Sequence, residues 1–86
     1  MSEIITEQYN FDKKYDMIGA FEKLAKENKD VKFITRSTDA SAPVYQVGNS
    51  AAVVSYNDIS FTGYSKMLKE TKKALEQKLG VKLKKI

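Results

Sequence analysis

Between Val31 and Thr62 the chain breaks into four short extended segments, VKFITRS, PVYQVG, AAVVSY and ISFT. The residues between them, STDASA, Gly48-Asn49-Ser50 and Asn57-Asp58, are all turn formers. β-branched and aromatic residues bounded by such punctuation predict strands joined in hairpins. Antiparallel neighbours follow, because connections this short cannot carry a parallel crossover. Read as a two-residue loop, Asn57-Asp58 pairs Tyr56 with Ile59 and Val54 with Phe61 on one face. Ser55, Ser60 and Thr62 then share the other face, the pattern of a sheet with one covered and one open side.

The flanks supply the cover. EIITEQYNF at the N-terminus reads as another strand, and Asp12 or Asp16 then offers an N-cap oxygen. Ile18, Phe21, Leu24 and Ala25 recur at helical spacing up to Asn28-Lys29-Asp30, so a helix is expected near 13–28. A second helix is expected near 63–79. Projected at about 100° per residue, Tyr64, Leu68, Thr71, Leu75 and Leu79 fall in one arc, with Met67 and Ala74 at its edge. Lys66, Lys69, Lys72 and Lys73 fall on the opposite arc. Gly80 suits a left-handed C-cap with Val81 packing back on the last turn. The tail VKLKKI either frays or adds a short strand. The expected fold is α+β in the order β-α-β-β-β-β-α, a single antiparallel sheet with two helices on one face. The expected core includes Ile18, Phe21, Val54, Phe61, Leu68 and Leu75. The 86 residues make one domain, 1–86.

Composition removes several chemistries. The chain has no cysteine and no histidine, so it has no disulfide framework, no thiolate and no imidazole to act as base or metal ligand. Ser65 and Lys69 lie one helical turn apart, but Lys69 projects to water, where an amine stays protonated and cannot activate a hydroxyl. The carboxylates of Asp12 and Asp16 are accounted for by helix-start electrostatics. The four glycines are scattered and form no phosphate loop. The reading is therefore not an enzyme, with no cofactor and no metal. No apolar run approaches the length of a membrane span, and the N-terminal stretch lacks a signal-peptide core, so a cytoplasmic protein is expected.

Charge points to a partner. Residues 1–65 hold seven basic and nine acidic side chains, a balance of −2, whereas residues 66–86 hold eight lysines against Glu70 and Glu76, a balance of +6. Such segregation suits an anionic partner, although lysine-rich helices also serve solubility alone.

Two local motifs extend the reading. The segment Ile59-Ser60-Phe61-Thr62-Gly63-Tyr64-Ser65 is a strand ending in Thr-Gly, and Gln77-Lys78-Leu79-Gly80-Val81 is a helix end closing in Lys-Leu-Gly plus an apolar residue. With the element order, these resemble one repeat of the TATA-box-binding protein family over nearly the whole chain. That resemblance implies a sheet whose open face sits in the minor groove of DNA, with aromatic wedges kinking the duplex. Thr62 matches the family's groove-facing threonine, and Ser60 shares its face. The chain also departs from the pattern. Tyr56 is the nearest aromatic to one wedge, but the two-residue turn sends it to the core. The other wedge falls near Ala40 or Ser41, too small to intercalate. Near Ser2 or Glu3, where the family has an asparagine, Glu3 would repel phosphate. A single repeat makes a saddle only as a homodimer. Domains of this shape also serve as substrate-binding modules on some bacterial ribonucleases H.

Two functions follow as expectations. One is nucleic-acid binding, to DNA or an RNA–DNA hybrid, through the open face of a dimer, with Arg36, Ser60 and Thr62 as contacts and Lys66, Lys69 and Lys73 adding long-range attraction. The other is a protein-binding accessory or inhibitor protein of mobile-element type. It would dock its partner on the open face or an edge strand, or dimerise there by burying Val44, Val47 or Val53.

Overall fold

In the computed structural model of the chain, residues 3–36, 42–55 and 57–86 are described. The expectations for Ser2, Ala40, Ser41 and Tyr56 lie outside them. The order is β1 (Ile4–Asn10), α1 (Met17–Glu27), β2 (Val31–Arg36), β3 (Pro43–Val47), β4 (Ser50–Val54), β5 (Asp58–Tyr64), α2 (Ser65–Leu79) and β6 (Lys84–Lys85). The strands form one antiparallel sheet in the order β2-β3-β4-β5-β1-β6. The fold is α+β as expected, and the C-terminal tail adds a sixth, two-residue strand beside β1.

Local chemistry sets each boundary. The Asp16 carboxylate caps α1 by accepting from the Gly19 N–H, while Asp12 instead accepts from the Lys14 N–H in the preceding turn. At the other end, the backbone N–H and side-chain amide of Asn28 both donate to the Leu24 carbonyl, and α1 stops. Gly80 closes α2 at φ 68°, a left-handed conformation that costs glycine little, and donates to the Glu76 carbonyl. The Tyr15 hydroxyl takes the last-turn carbonyl of Leu79 at 2.8 Å, tying the entrance of α1 to the exit of α2.

Both helices cover the same face, because one apolar cluster joins their buried residues to the sheet. Met17, Phe21 and Leu24 of α1 meet Val31, Tyr45 and Val47, while Leu68 and Leu75 of α2 complete the cluster with Ala52, Val54, Ile59 and Phe61. Tyr9, Phe11 and Leu83 close its end. Phe21, Val54, Phe61, Leu68 and Leu75 are buried as expected. Ile18 is only half-buried at the margin, since α1 starts at Met17 and turns that residue inward instead.

Three further expectations change. Val54 pairs with Ile59 and Ala52 with Phe61, two residues away from the expected register. The hairpin closes through the Ser55 N–H donating to the Asp58 carbonyl at 2.9 Å. Asn57-Asp58 lacks the glycine that a tight primed turn favours at its second central position, and a longer connection results. A slip of two preserves the faces, which is why the core assignment survives it. Tyr64 does not belong to the buried arc of α2. It ends β5, paired with Ile4, and is exposed. Lys72 leaves the water-facing arc, where its ammonium sits 5.3 Å from the centre of the Tyr9 ring.

Candidate binding face

The uncovered side of the sheet is built from two rows of paired residues. One runs Lys32, Gln46, Ala51, Thr62, Thr6, and the next runs Thr35, Val44, Val53, Ser60, Gln8, each step a partner across neighbouring strands. Apart from Lys32, every side chain in those rows is uncharged. The Thr6 and Thr62 hydroxyls share a 2.9 Å hydrogen bond, so part of the polar capacity of the face is spent within it. At its margins Asp58, Asn10 and Lys84 form one end, and Ile4 and Tyr64 the other. Ile4, Ile34, Tyr64 and Ile86 are large apolar side chains left in water around this face. Such a surface, small and β-branched at the centre with apolar corners, is suited to contact with another apolar, hydrogen-bonding surface.

The residues singled out in the sequence do not converge. Ser60 and Thr62 lie half-buried on the open face. Lys66, Lys69 and Lys73 are exposed on α2, on the other side of the sheet. Arg36 is not on the open face. The β2–β3 ladder slips between Phe33, which pairs with Tyr45, and Thr35, which pairs with Val44. This bulge sets two residues of β2 against one of β3 and reverses the alternation beyond it. Arg36 therefore pairs with Pro43, in step with the inward-facing Tyr45 and Val47, and lines a groove beside α1 with Glu22 and Lys26. Its charge acts on Tyr45, whose hydroxyl is pushed up in pKa first by burial and then by Glu22, with Arg36 opposing. Val47 is likewise buried in the core and unavailable to the open face, whereas Val44 and Val53 face each other on it.

Reading the sequence alone missed Ile4, Thr6, Gln8, Ile34 and Ile86 as parts of this surface. The alternation Ile4, Thr6, Gln8 was a usable signal for β1, but its place beside β5 was not, since only the folded order creates that adjacency.

The polar cluster at the helix-covered end has a structural role. Lys85 meets Glu7 at 2.8 Å and holds its carboxyl below the ordinary range. The Tyr9 hydroxyl donates to Glu7 at 3.2 Å, and burial raises the pKa of Tyr9. A carboxylate held ionised by a lysine and a phenol held neutral are both moved away from use as acid or base near neutrality. Among the described residues no three Asp or Glu side chains gather as a metal site, and no helix is long and apolar enough to cross a membrane. No family model, no curated protein and no solved structure matches the chain.

Proposed function

We propose that the chain is a small non-catalytic binding protein, acting in the cytoplasm, that docks a protein partner on its uncovered sheet face. The observation that carries this reading is the uncharged centre of that face, where Gln46, Ala51, Val53, Ser60, Thr62 and Thr6 lie, with Lys32, Asp58 and Lys84 only at its ends and Ile4, Ile34, Tyr64 and Ile86 at its margin. A phosphate backbone is held by cations, and the bulge takes Arg36 away from this side. Ala51, Val53 and the apolar corners contribute on burial, while the hydroxyls of Ser60 and Thr62 and the amide of Gln46 can hydrogen-bond to a docked protein surface without the cost of burying a charge. A second copy is one such partner, with Val44 and Val53 at the seam. Crosslinking capture from cells producing the chain tests the reading with Val53→Glu. A protein crosslinked to wild type and lost with Val53→Glu supports it, as does a sedimentation dimer lost the same way. Identical capture and identical mass for both proteins would sink it.

The exposed Lys66, Lys69 and Lys73 favour a second reading, nucleic-acid binding by the outer surface of α2. The resemblance to the TATA-box-binding protein repeat favours the open face instead, with Ser60 and Thr62 as contacts. Duplex DNA and an RNA–DNA hybrid, titrated across salt concentrations, separate these. Binding to the lysine surface is steeply salt-dependent and lost on neutralising the three lysines, whereas groove contact is lost with Thr62→Val. No binding at about tens of micromolar in low salt removes both forms.

A further inference from the structure

β2 is the long edge of the sheet. Among the described residues β3 is the only strand paired with it. On the opposite side β6 pairs with only Tyr9 and Asn10 of β1 and the Ile86 N–H donates to the Gln8 carbonyl, leaving residues 4–7 without a strand partner there among the described residues, whereas β2 has six, about 20 Å of ladder. Sheets blunt exposed edges with short strands, charges and bulges, because an unpaired row of N–H and C=O groups accepts another chain. β2 has charges and a bulge, yet it also holds Phe33 and Ile34 half in water, at 52% and 51% exposure. Phe33 stands edge-on to Tyr45, with ring centres 5.6 Å apart. On the helix side, Val31, Phe33 and Tyr45 floor an open groove of about 630 Å³, with Glu22 and Lys26 of α1 and Arg36 of β2 at its rim.

We propose that this edge is a strand-addition site, where an extended acidic segment of a protein partner pairs with β2 and sets alternate side chains into the groove between α1 and β2. Charge selects the occupant. Among the described residues lining this groove, the two lysines Lys26 and Lys32 outnumber Glu22. A second copy would bring a surface of the same sign to this edge, which like-charge repulsion disfavours, while an acidic segment meets opposite charge. Backbone pairing supplies the affinity of such an interface, and the side chains that reach Val31, Phe33 and Tyr45 supply its selectivity. The bulge limits regular pairing to a short stretch and so disfavours open-ended growth at the same edge. The edge shares Lys32 and Ile34 with the margin of the uncovered face, but the groove floor of Val31, Phe33 and Tyr45 lies on the helix side, so binding at the edge does not require the central Val53 and Ser60.

Two end-blocked peptides of about eight residues test it, one alternating valine with glutamate and one alternating valine with lysine. Titrated into isotope-labelled protein, the valine–glutamate peptide is expected to shift the amide signals of Val31–Arg36 and Glu22–Lys26, and to bind about tenfold more tightly than the valine–lysine peptide. The exposed pair Lys26→Glu and Lys32→Glu should reverse that preference, and Phe33→Ser should weaken both peptides, with unfolding midpoints verifying that each variant folds. Equal affinities, an unreversed preference, shifts confined to β4 and β5, or no binding at all would each overturn the proposal. A wild-type dimer that Phe33→Ser dissociates, without peptide binding, would overturn it in favour of a second copy.

Discussion

Gly63 stands against Ser50 so closely that a methyl group on Gly63 would lie 2.7 Å from the Ser50 Oγ and 3.3 Å from its Cα. The two face each other one step beyond the paired residues Ala51 and Thr62. Gly63 is buried, as is Ser50, whose hydroxyl finds no hydrogen-bond partner among the described residues. The glycine of the Thr-Gly pair is thus required by close approach rather than by backbone angle. Gly63→Ala should cost about 1–3 kcal/mol by overpacking. Ser50→Ala should be neutral or stabilising, because it removes a buried hydroxyl without breaking a bond. In the Ser50→Gly background the cost of Gly63→Ala should shrink, a coupling that urea denaturation of all four proteins measures. Additive losses would remove the contact as the cause.

Leu75 sits in the centre of the helix–sheet interface at 1% exposure. Leu75→Ala should lower unfolding free energy by about 2–5 kcal/mol, a transfer loss plus a cavity. A loss below about 1 kcal/mol in chemical denaturation would contradict a rigidly packed α2.

Replacing Lys66, Lys69 and Lys73 together with glutamine should leave the melting temperature within a few degrees, since all three are exposed and isolated surface charges contribute little. Lys72 differs, because its ammonium lies over Tyr9. Lys72→Ala should cost more than any one of the three, about 0.5–1 kcal/mol. Indistinguishable thermal unfolding of all four single variants would refute the contrast.

Glu7 gives the stability a dependence on acid. Lys85, first by hydrogen bond, holds the carboxyl below its ordinary 4.5, so the folded state favours the ionised form. That contribution is present above the unfolded value and is lost as pH falls through the lower folded one. The Lys85 side chain is 66% exposed, so the pair contributes less than about 1 kcal/mol. Wild type should lose more stability than Glu7→Gln between about pH 6 and pH 3, and equal losses in denaturation would mean that the pair contributes nothing.

The parts of the fold that were legible in the sequence rest on local periodicity. Val54, Ile59 and Phe61 alternate with Ser60 and Thr62, and that alternation survived a register shift of two because side chains repeat every second residue. Leu68 and Leu75 lie two turns apart on α2, so their burial follows from helix geometry, as the ending at Gly80 follows from capping. The open face was legible only in part. Ser60 and Thr62 were visible through their own strand, but Thr6 and Gln8 join them only through the β1–β5 ladder.

By itself the sequence determined which segments are strands and helices, and which side of most of them is apolar, because those properties follow from residues a few positions apart. The tertiary structure alone decided the strand order, the sixth strand, the inward turn of Lys72 and the side on which Arg36 emerges. Each of these is fixed by pairing or packing between residues distant in the chain. One extra residue in β2, between Phe33 and Thr35, is enough to move the only arginine from the open face to the groove beside α1.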